Sequence, residues 1–198
     1  MKLILVRHGE TFANKIHITQ GQTHGKLNSK GKIQSNKLAR RLSKEHIDYA
    51  YVSDLGRAAE TAEAILKCHP NIEVKYSKDL RERSFGIYDG KHQDTYRKVL
   101  AESGKKFYLF KPKSGESHLE AQRRIKKFYR ELLLKHKDET VLIVSHGSLL
   151  GNLYLYLFRK SYKEYLKYHP ENAALTILKV QKNKKPKVHI LNSIKHLR

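Results

Sequence analysis

Short apolar runs alternate with longer amphipathic stretches along this chain. Lys2-Leu3-Ile4-Leu5-Val6 and Val141-Leu142-Ile143-Val144 are nearly continuous in apolar character, the pattern of strands buried on both faces of a parallel sheet. Residues 49–53, 73–76, 174–180 and 188–191 read as further strands. Apolar residues at helical spacing predict helices between them. One covers about residues 32–43, with Ile33, Leu38 and Leu42 inward. A second covers 56–67, with Ala58, Ala62, Ile65 and Leu66 inward, and Pro70 stops it. The clearest covers 120–136, where Ala121, Ile125, Phe128, Leu132 and Leu133 form one stripe. Residues 148–158 read as a fully buried helix, and the aromatic group Tyr154, Tyr156, Phe158, Tyr162 and Tyr165 as core packing. Segments 20–30, 82–91 and 111–117 carry the glycines and Pro112 of irregular loops, and 182–187 reads as a hairpin tip. Helices between short buried strands predict an α/β layered fold without repeats or linkers, in one domain spanning residues 1–198.

Composition sharpens the picture chiefly through charge. The 198 residues contain 41 Lys plus Arg against 19 Asp plus Glu, a formal net charge of +22. Such a charge draws polyanions: nucleic acid, an acidic membrane face or a phosphorylated metabolite. Much of it falls on predicted helix surfaces and in the tail (Lys37, Arg40, Arg41 and Lys44; Arg123, Arg124, Lys126 and Lys127; Lys182, Lys184, Lys185 and Lys187), where it reads as a solvated basic face. Zinc-finger spacing and aromatic-basic sheet signatures are absent, so only non-specific polyanion binding is expected. The single cysteine, Cys68, excludes an internal disulfide and a four-cysteine metal cluster. The apolar start is broken at Arg7, and no run approaches the roughly 20 apolar residues of a membrane span. A soluble cytoplasmic protein, monomeric or dimeric, is the expectation.

Two segments repeat one arrangement. The first apolar strand runs into Arg7-His8-Gly9, and the strand ending at Val144 runs into Ser145-His146-Gly147. In open α/β sheets, ligands bind beyond the carboxyl ends of the strands, so His8 and His146 are expected to face one pocket. Arg7 and Arg57 add guanidinium forks that match phosphate oxygens, and Arg57 opens a predicted helix, where backbone N–H groups also favour an anion. His17, His24, His46, His69, His92 and His189 are scattered without ligand spacing, and His118 follows a Gly-Glu-Ser loop from which it could reach the pocket.

Leu5-Val6-Arg7-His8-Gly9-Glu10-Thr11, with Asn14, resembles the signature of the histidine phosphatase superfamily, also called the phosphoglycerate mutase-like family. Ser53-Asp54-Leu55-Gly56-Arg57-Ala58, Leu80-Arg81-Glu82-Arg83 with Phe85-Gly86 and Asp89-Gly90, Ser114-Gly115-Glu116-Ser117 and Val144-Ser145-His146-Gly147 resemble its later blocks, in family order. The resemblance implies a three-layer α/β/α sandwich with a mostly parallel sheet, and residues about 84–117 forming a cap-like insertion over the site. It implies His8 as a nucleophile that forms a phosphohistidine, with Arg7, Arg57 and His146 holding the transferring phosphoryl group. Asn14 and Gly147 belong to the same phosphate pocket, and Gln20 and Gly21 to a substrate-facing loop. Glu82 protonates the leaving alcohol and then activates water. No metal and no cofactor is implied.

The Leu80 to Gly86 block looks most like the fructose-2,6-bisphosphatase-like and broad-specificity branch. The expected activity is therefore hydrolysis of a small phosphorylated metabolite, a bisphosphate or a phospho-carboxylate. Lys91, Lys105, Lys106, Lys111 and Lys113, in or around the cap, would suit the second charge. Phosphoglycerate mutase activity is the alternative. Family mutases resemble longer chains, with an insertion after the acid block and a C-terminal tail; here a modest segment separates Gly90 from the Ser114 loop and the last strand is expected to end near Leu191, departures that favour a phosphatase. A basic nucleic-acid-binding protein without enzymatic role is the second alternative.

Overall fold

The computed structural model describes residues 1–198. Six strands form one sheet: β1 (Lys2–Arg7), β2 (Tyr49–Ser53), β3 (Glu73–Ser77), β4 (Thr140–Ser145), β5 (Leu175–Lys179) and β6 (Lys187–Ser193). Their spatial order is β3-β2-β4-β1-β5-β6. The first four positions run parallel, β5 is antiparallel to β1, and β6 is antiparallel to β5. Seven helices accompany them: α1 (Phe12–Lys15), α2 (Ser29–Leu42), α3 (Gly56–Leu66), α4 (Gln93–Glu102), α5 (His118–Lys135), α6 (Gly147–Leu157) and α7 (Tyr165–Tyr168).

The two-residue period of the strands sorts the core into two halves. Leu3, Leu5, Val141 and Ile143 pack with Ile125, Phe128 and Leu132 of α5 and with Leu149, Leu150 and Leu153 of α6. Ile4, Val6, Leu142 and Val144 point the other way and pack with Leu38 and Leu42 of α2 and Ala58, Ala62 and Ile65 of α3. Both sheet faces are covered, which is why β1 and β4 are apolar at successive positions, and the fold is a three-layer α/β/α sandwich with a mostly parallel sheet. No helix is long and apolar enough to cross a membrane.

Three elements depart from the sequence pattern. Helix α2 begins at Ser29, because the Asn28 side chain caps it by accepting the Gly31 N–H at 2.8 Å. Its inward face is Gly31, Ser35, Leu38, Ala39 and Leu42, and Ile33, expected inside, is 59% exposed. The inward face opens on small residues because α2 touches the chain leaving β1: a Cβ at Gly31 would stand 2.0 Å from the Glu10 carbonyl oxygen. Helix α5 starts at His118, two residues early, behind a capping box made by Ser117 and Glu120. Helix α4 has no apolar stripe to announce it, since Tyr96 is its only buried residue.

Candidate active site

Strands β1 and β4 are adjacent and in register, with Arg7 opposite Ser145. His8 and His146 therefore leave the sheet side by side. The His8 N–H bonds the Ser145 carbonyl at 3.0 Å, and the two imidazole centroids lie 5.1 Å apart. Beyond these strand ends lies a cavity of about 380 Å³ lined by Arg7, His8, Asn14, Gln20, Gly21, Arg57 and Glu82. His146 packs beside His8, and Gly147 lies against the Arg7 guanidinium. The residues of the expected phosphate pocket and the expected acid, Glu82, lie together at this place.

A hydrogen bond sets the tautomer of His8. His8 Nδ1 is 2.7 Å from the Gly9 carbonyl oxygen, which can only accept, so Nδ1 carries the proton and Nε2 keeps its lone pair. Arg57 Nε donates to that Nε2 at 3.3 Å. Burial, reinforced by Arg57 and Arg7, holds the His8 pKa well below the ordinary imidazole range. His146 Nε2 lies 2.7 Å from Ser53 Oγ, which also accepts the Leu55 N–H at 3.4 Å. His146 Nδ1 is a buried atom without a partner in the protein. Asn14 is similar: its Oδ1 accepts from the Thr11 N–H, the Thr11 hydroxyl and Asn172 Nδ2, which leaves its own Nδ2 donors for the cavity.

Two buried guanidiniums flank the imidazoles. Arg57 donates Nη1 to the Thr23 carbonyl and Nη2 to the Gly21 carbonyl, both at 2.8 Å, and burial pushes its pKa down to about 10. Arg7 donates Nη1 to the Pro170 carbonyl at 2.6 Å, and its buried Nε has no partner. Burial lowers the Arg7 pKa as well, opposed by nearby Glu82. Neither arginine forms an ion pair with a carboxylate; their protein partners are backbone carbonyls and His8.

Glu82 is held by the opening of α6. Its Oε2 accepts the Ser148 N–H at 3.0 Å, and its Oε1 accepts the N–H groups of Leu149 at 3.1 Å and Arg83 at 2.8 Å. The N-cap residue of α6, His146, gives no side-chain cap, and Glu82 satisfies the free donors instead. The acid block is itself anchored twice. Ser145 Oγ donates to the Leu80 carbonyl at 2.8 Å, and the Arg124 guanidinium bonds the carbonyls of Asp79, Arg81 and Glu82 while pairing with Glu116 at 2.8 Å. Arg124 is thus a clamp rather than part of a solvated basic face; one charged residue on a helix surface looks like another until the loop it grips is seen.

The loop carrying Gln20 and Gly21 depends on a backbone that only glycine adopts readily. Gly21 has φ +48°, and a Cβ there would fall 1.7 Å from Asp89 Oδ1. The Asp89 carboxylate accepts the N–H groups of Phe85 and Gln22 at 2.8 and 3.1 Å, tying this loop to the acid block.

Further cavity residues escaped the sequence reading: Arg83, Tyr96, Ser148, Tyr165 and His169 line the wall, and Asn172 bridges the His8 and Gly9 carbonyls from behind. None sits in a pattern that distinguishes it from core or loop residues. His118 does line the cavity. Lys91, Lys105, Lys106, Lys111 and Lys113 do not. Lys111 instead pairs with Glu120 at 2.7 Å, and Lys91 lies 5.8 Å from the Tyr88 ring. The long flexible ammoniums of this segment turn to surface partners and solvent.

Concentrating buried imidazoles at one place makes stability depend on pH. Burial holds His8, His118 and His146 well below the ordinary value and pushes His169 down to about 4. The unfolded chain takes up protons at these residues near pH 6.5, where the folded chain does not, so the unfolded state binds more protons and stability falls as pH drops from about 6.5. Urea unfolding from pH 8 downward is expected to show a plateau above about pH 6.5 and a progressive fall below it. A midpoint that stays level well into the acid range would contradict the neutral, buried state of these rings.

A family model described as the histidine phosphatase superfamily (branch 1) matches residues 3–193 of the chain. Phosphoglycerate mutase-like protein 4 of Arabidopsis thaliana is 36% identical over 159 residues, covering 77% of this chain and 69% of the relative. A metal-independent phosphoserine phosphatase of the same plant is 36% identical over 169 residues, covering 81% of this chain and 70% of the relative. The structure of an Entamoeba histolytica phosphoserine phosphatase in complex with 3-phosphoglyceric acid superposes with a TM-score of 0.83 at 29% identity, covering 100% of this chain and 99% of that one.

Proposed function

The chain belongs to the histidine phosphatase superfamily, and from that premise we propose that it hydrolyses small phosphomonoesters without a metal ion, through a phosphohistidine on His8. The observation that carries this reading is a neutral imidazole whose Nε2 keeps its lone pair, engaged only by the long 3.3 Å hydrogen bond from Arg57, set between two buried guanidiniums that form no ion pair with a carboxylate. Buried cations of this kind call for an anionic ligand. A phosphoryl group supplies oxygens for Arg7 Nε, His146 Nδ1 and the Asn14 amide, which are left without protein partners.

The reaction follows from these positions. His8 Nε2 attacks phosphorus while its Nδ1–H stays on the Gly9 carbonyl. The phosphorus–oxygen ester bond breaks, its electron pair leaves with the alcohol oxygen, and the Glu82 carboxyl supplies that oxygen with a proton. Water then attacks phosphorus, giving a proton to the Glu82 carboxylate. The phosphorus–nitrogen bond breaks, and the pair returns to Nε2. Arg7, Arg57 and His146 hold the equatorial oxygens through both steps. Residues 84–117 act as a cap, contributing Phe85, Gln93, Tyr96 and Arg97 to the cavity wall.

Phosphate release with chelator present tests the reading, and Glu82→Gln separates its two steps. With an alkyl phosphate the variant is expected to lose about 10²–10⁴-fold in kcat, because the alkoxide leaves without a proton. With p-nitrophenyl phosphate, whose anion needs none, the variant should show a burst of nitrophenolate near one equivalent followed by slow turnover. Silence of the wild type toward every phosphomonoester would sink the proposal. Conversion of 3-phosphoglycerate to its 2-phospho isomer in place of hydrolysis would move the chain to the mutases.

A further inference from the structure

We propose that the groove between α5, the end of α6 and the β5–β6 hairpin docks a short acidic segment of a partner protein, one that carries apolar side chains among its carboxylates. The inference stands apart from the phosphatase reading, because the groove shares no lining residue with the phosphate cavity.

The topology sets this groove at the far end of the sheet. Strand β5 runs antiparallel to β1, with Lys179 opposite Lys2, so the hairpin after β5 turns beside the start of β1, whereas His8 follows its end. Helix α6 opens at Gly147 beside the imidazoles and reaches the groove with Tyr156 and Leu157, roughly 15 Å further along at 1.5 Å per residue.

The groove has a volume of about 740 Å³, against about 380 Å³ for the phosphate cavity. Leu133, Leu134, Tyr156, Leu157 and Pro186 give it an apolar lining. Leu134, the last apolar residue of α5, is 66% exposed and has no cover. Around these stand Arg130, Arg159, Lys182 and Lys184, none of them in an ion pair, and no Asp or Glu lines the groove. A fifth cation, Lys160, pairs with Glu164 at 3.1 Å. Residues 172–198 contain no Asp or Glu, so the hairpin brings charge of one sign only. Arg159 holds its place at a backbone cost: with φ +55° it occupies the left-handed position after α6 that glycine ordinarily takes.

The chemistry of the partner follows from this lining. Unpaired cations around an apolar floor match carboxylates and apolar side chains carried on one narrow chain. A second copy of this protein brings the same positive charge and is repelled. Single-stranded nucleic acid needs open aromatic faces. Here Tyr129 is 5% exposed, and the Lys126 ammonium lies 5.0 Å from the Tyr156 ring. A flat membrane face does not enter a concave groove. The docked segment leaves the phosphate cavity open, so its role is to bring the protein to a partner rather than to block turnover.

Selection from a displayed library of random dodecapeptides tests the proposal. The enriched peptides are expected to combine Asp and Glu with Leu or Phe. Fluorescein-labelled synthetic copies should bind Leu134→Ser about tenfold more weakly than the wild type, the scale of one buried apolar side chain. A double variant, Arg130→Gln with Lys184→Gln, should lose affinity as well. Lys32→Gln with Lys44→Gln removes the same charge from the α2 layer on the other sheet face and should leave affinity within about twofold. All five positions are exposed, so folding is not at stake. Phosphate release by the groove variants should match the wild type, and a protein that releases no phosphate would leave the peptide comparison intact. Failure to enrich any peptide overturns the proposal, as do peptides that bind the groove variants as tightly as the wild type. Equal loss in the α2-layer variant reduces the attraction to general charge and overturns it too. So does tighter binding of a poly-uridine oligonucleotide or of phosphatidylserine vesicles, lost in the same groove variants, which would give the groove to a nucleic acid or a membrane.

Discussion

Phosphate release by a His8→Ala variant is expected to fall by a factor on the order of 10⁴ or more, the scale on which removing a covalent nucleophile acts. The side chain is held neutral, and its Nε2 lone pair lies beside both guanidiniums of the phosphoryl site. His146 does not take its place, because its Nε2 is engaged by Ser53. The variant should fold, since the His8 backbone bonds to Ser145, Ala173 and Asn172 do not involve the ring. The anion site should also survive, as Arg7 and Arg57 keep their carbonyl partners. Calorimetric titration with inorganic phosphate is expected to show binding in the variant while turnover is lost. Residual activity within about tenfold of the wild type would point to direct attack by water or to another nucleophile.

Arg57→Ala is expected to lower kcat/KM by about 10³-fold, within the range for removing a preorganised cation from a phosphoryl transition state. Two losses combine in it. The charge beside His8 Nε2 disappears, and the Gly21 and Thr23 carbonyls lose the donors that hold the substrate-facing loop. The second loss should appear as a raised KM. Arg57→Lys should recover little, because an ammonium cannot bond two carbonyls and an imidazole nitrogen from one plane. Steady-state kinetics of the two variants check this, and a lysine variant near wild-type efficiency would reduce the role of Arg57 to charge alone.

The layered fold was legible because β1 and β4 are buried on both faces, which forces continuous apolar runs, each followed at once by a histidine and a glycine. Parallel adjacency then turns two similar sentences in the sequence into one site. What stayed hidden depends on contacts between distant segments. Arg124 reads as surface charge, but its value lies in three carbonyls of another loop. Asn172 and His169 follow a short helix with no pattern of their own, and reach the site because β5 lies beside β1. Ile33 is exposed because α2 meets the chain at Gly9 and Glu10 through Gly31 and Ser35, and small residues give no apolar signal. The lysines of the cap segment lie outside the cavity wall, since long ammoniums find surface carboxylates such as Glu120, and periodicity cannot reveal which way they turn.

The most direct measurement is a rapid acid-free quench of the enzyme during turnover of a radiolabelled phosphomonoester, followed by peptide mapping. The account predicts an acid-labile, base-stable label on the peptide containing His8, formed faster than turnover and absent from His8→Ala. Hydrolysis that proceeds with no label on the protein, or with label on another residue, would contradict it.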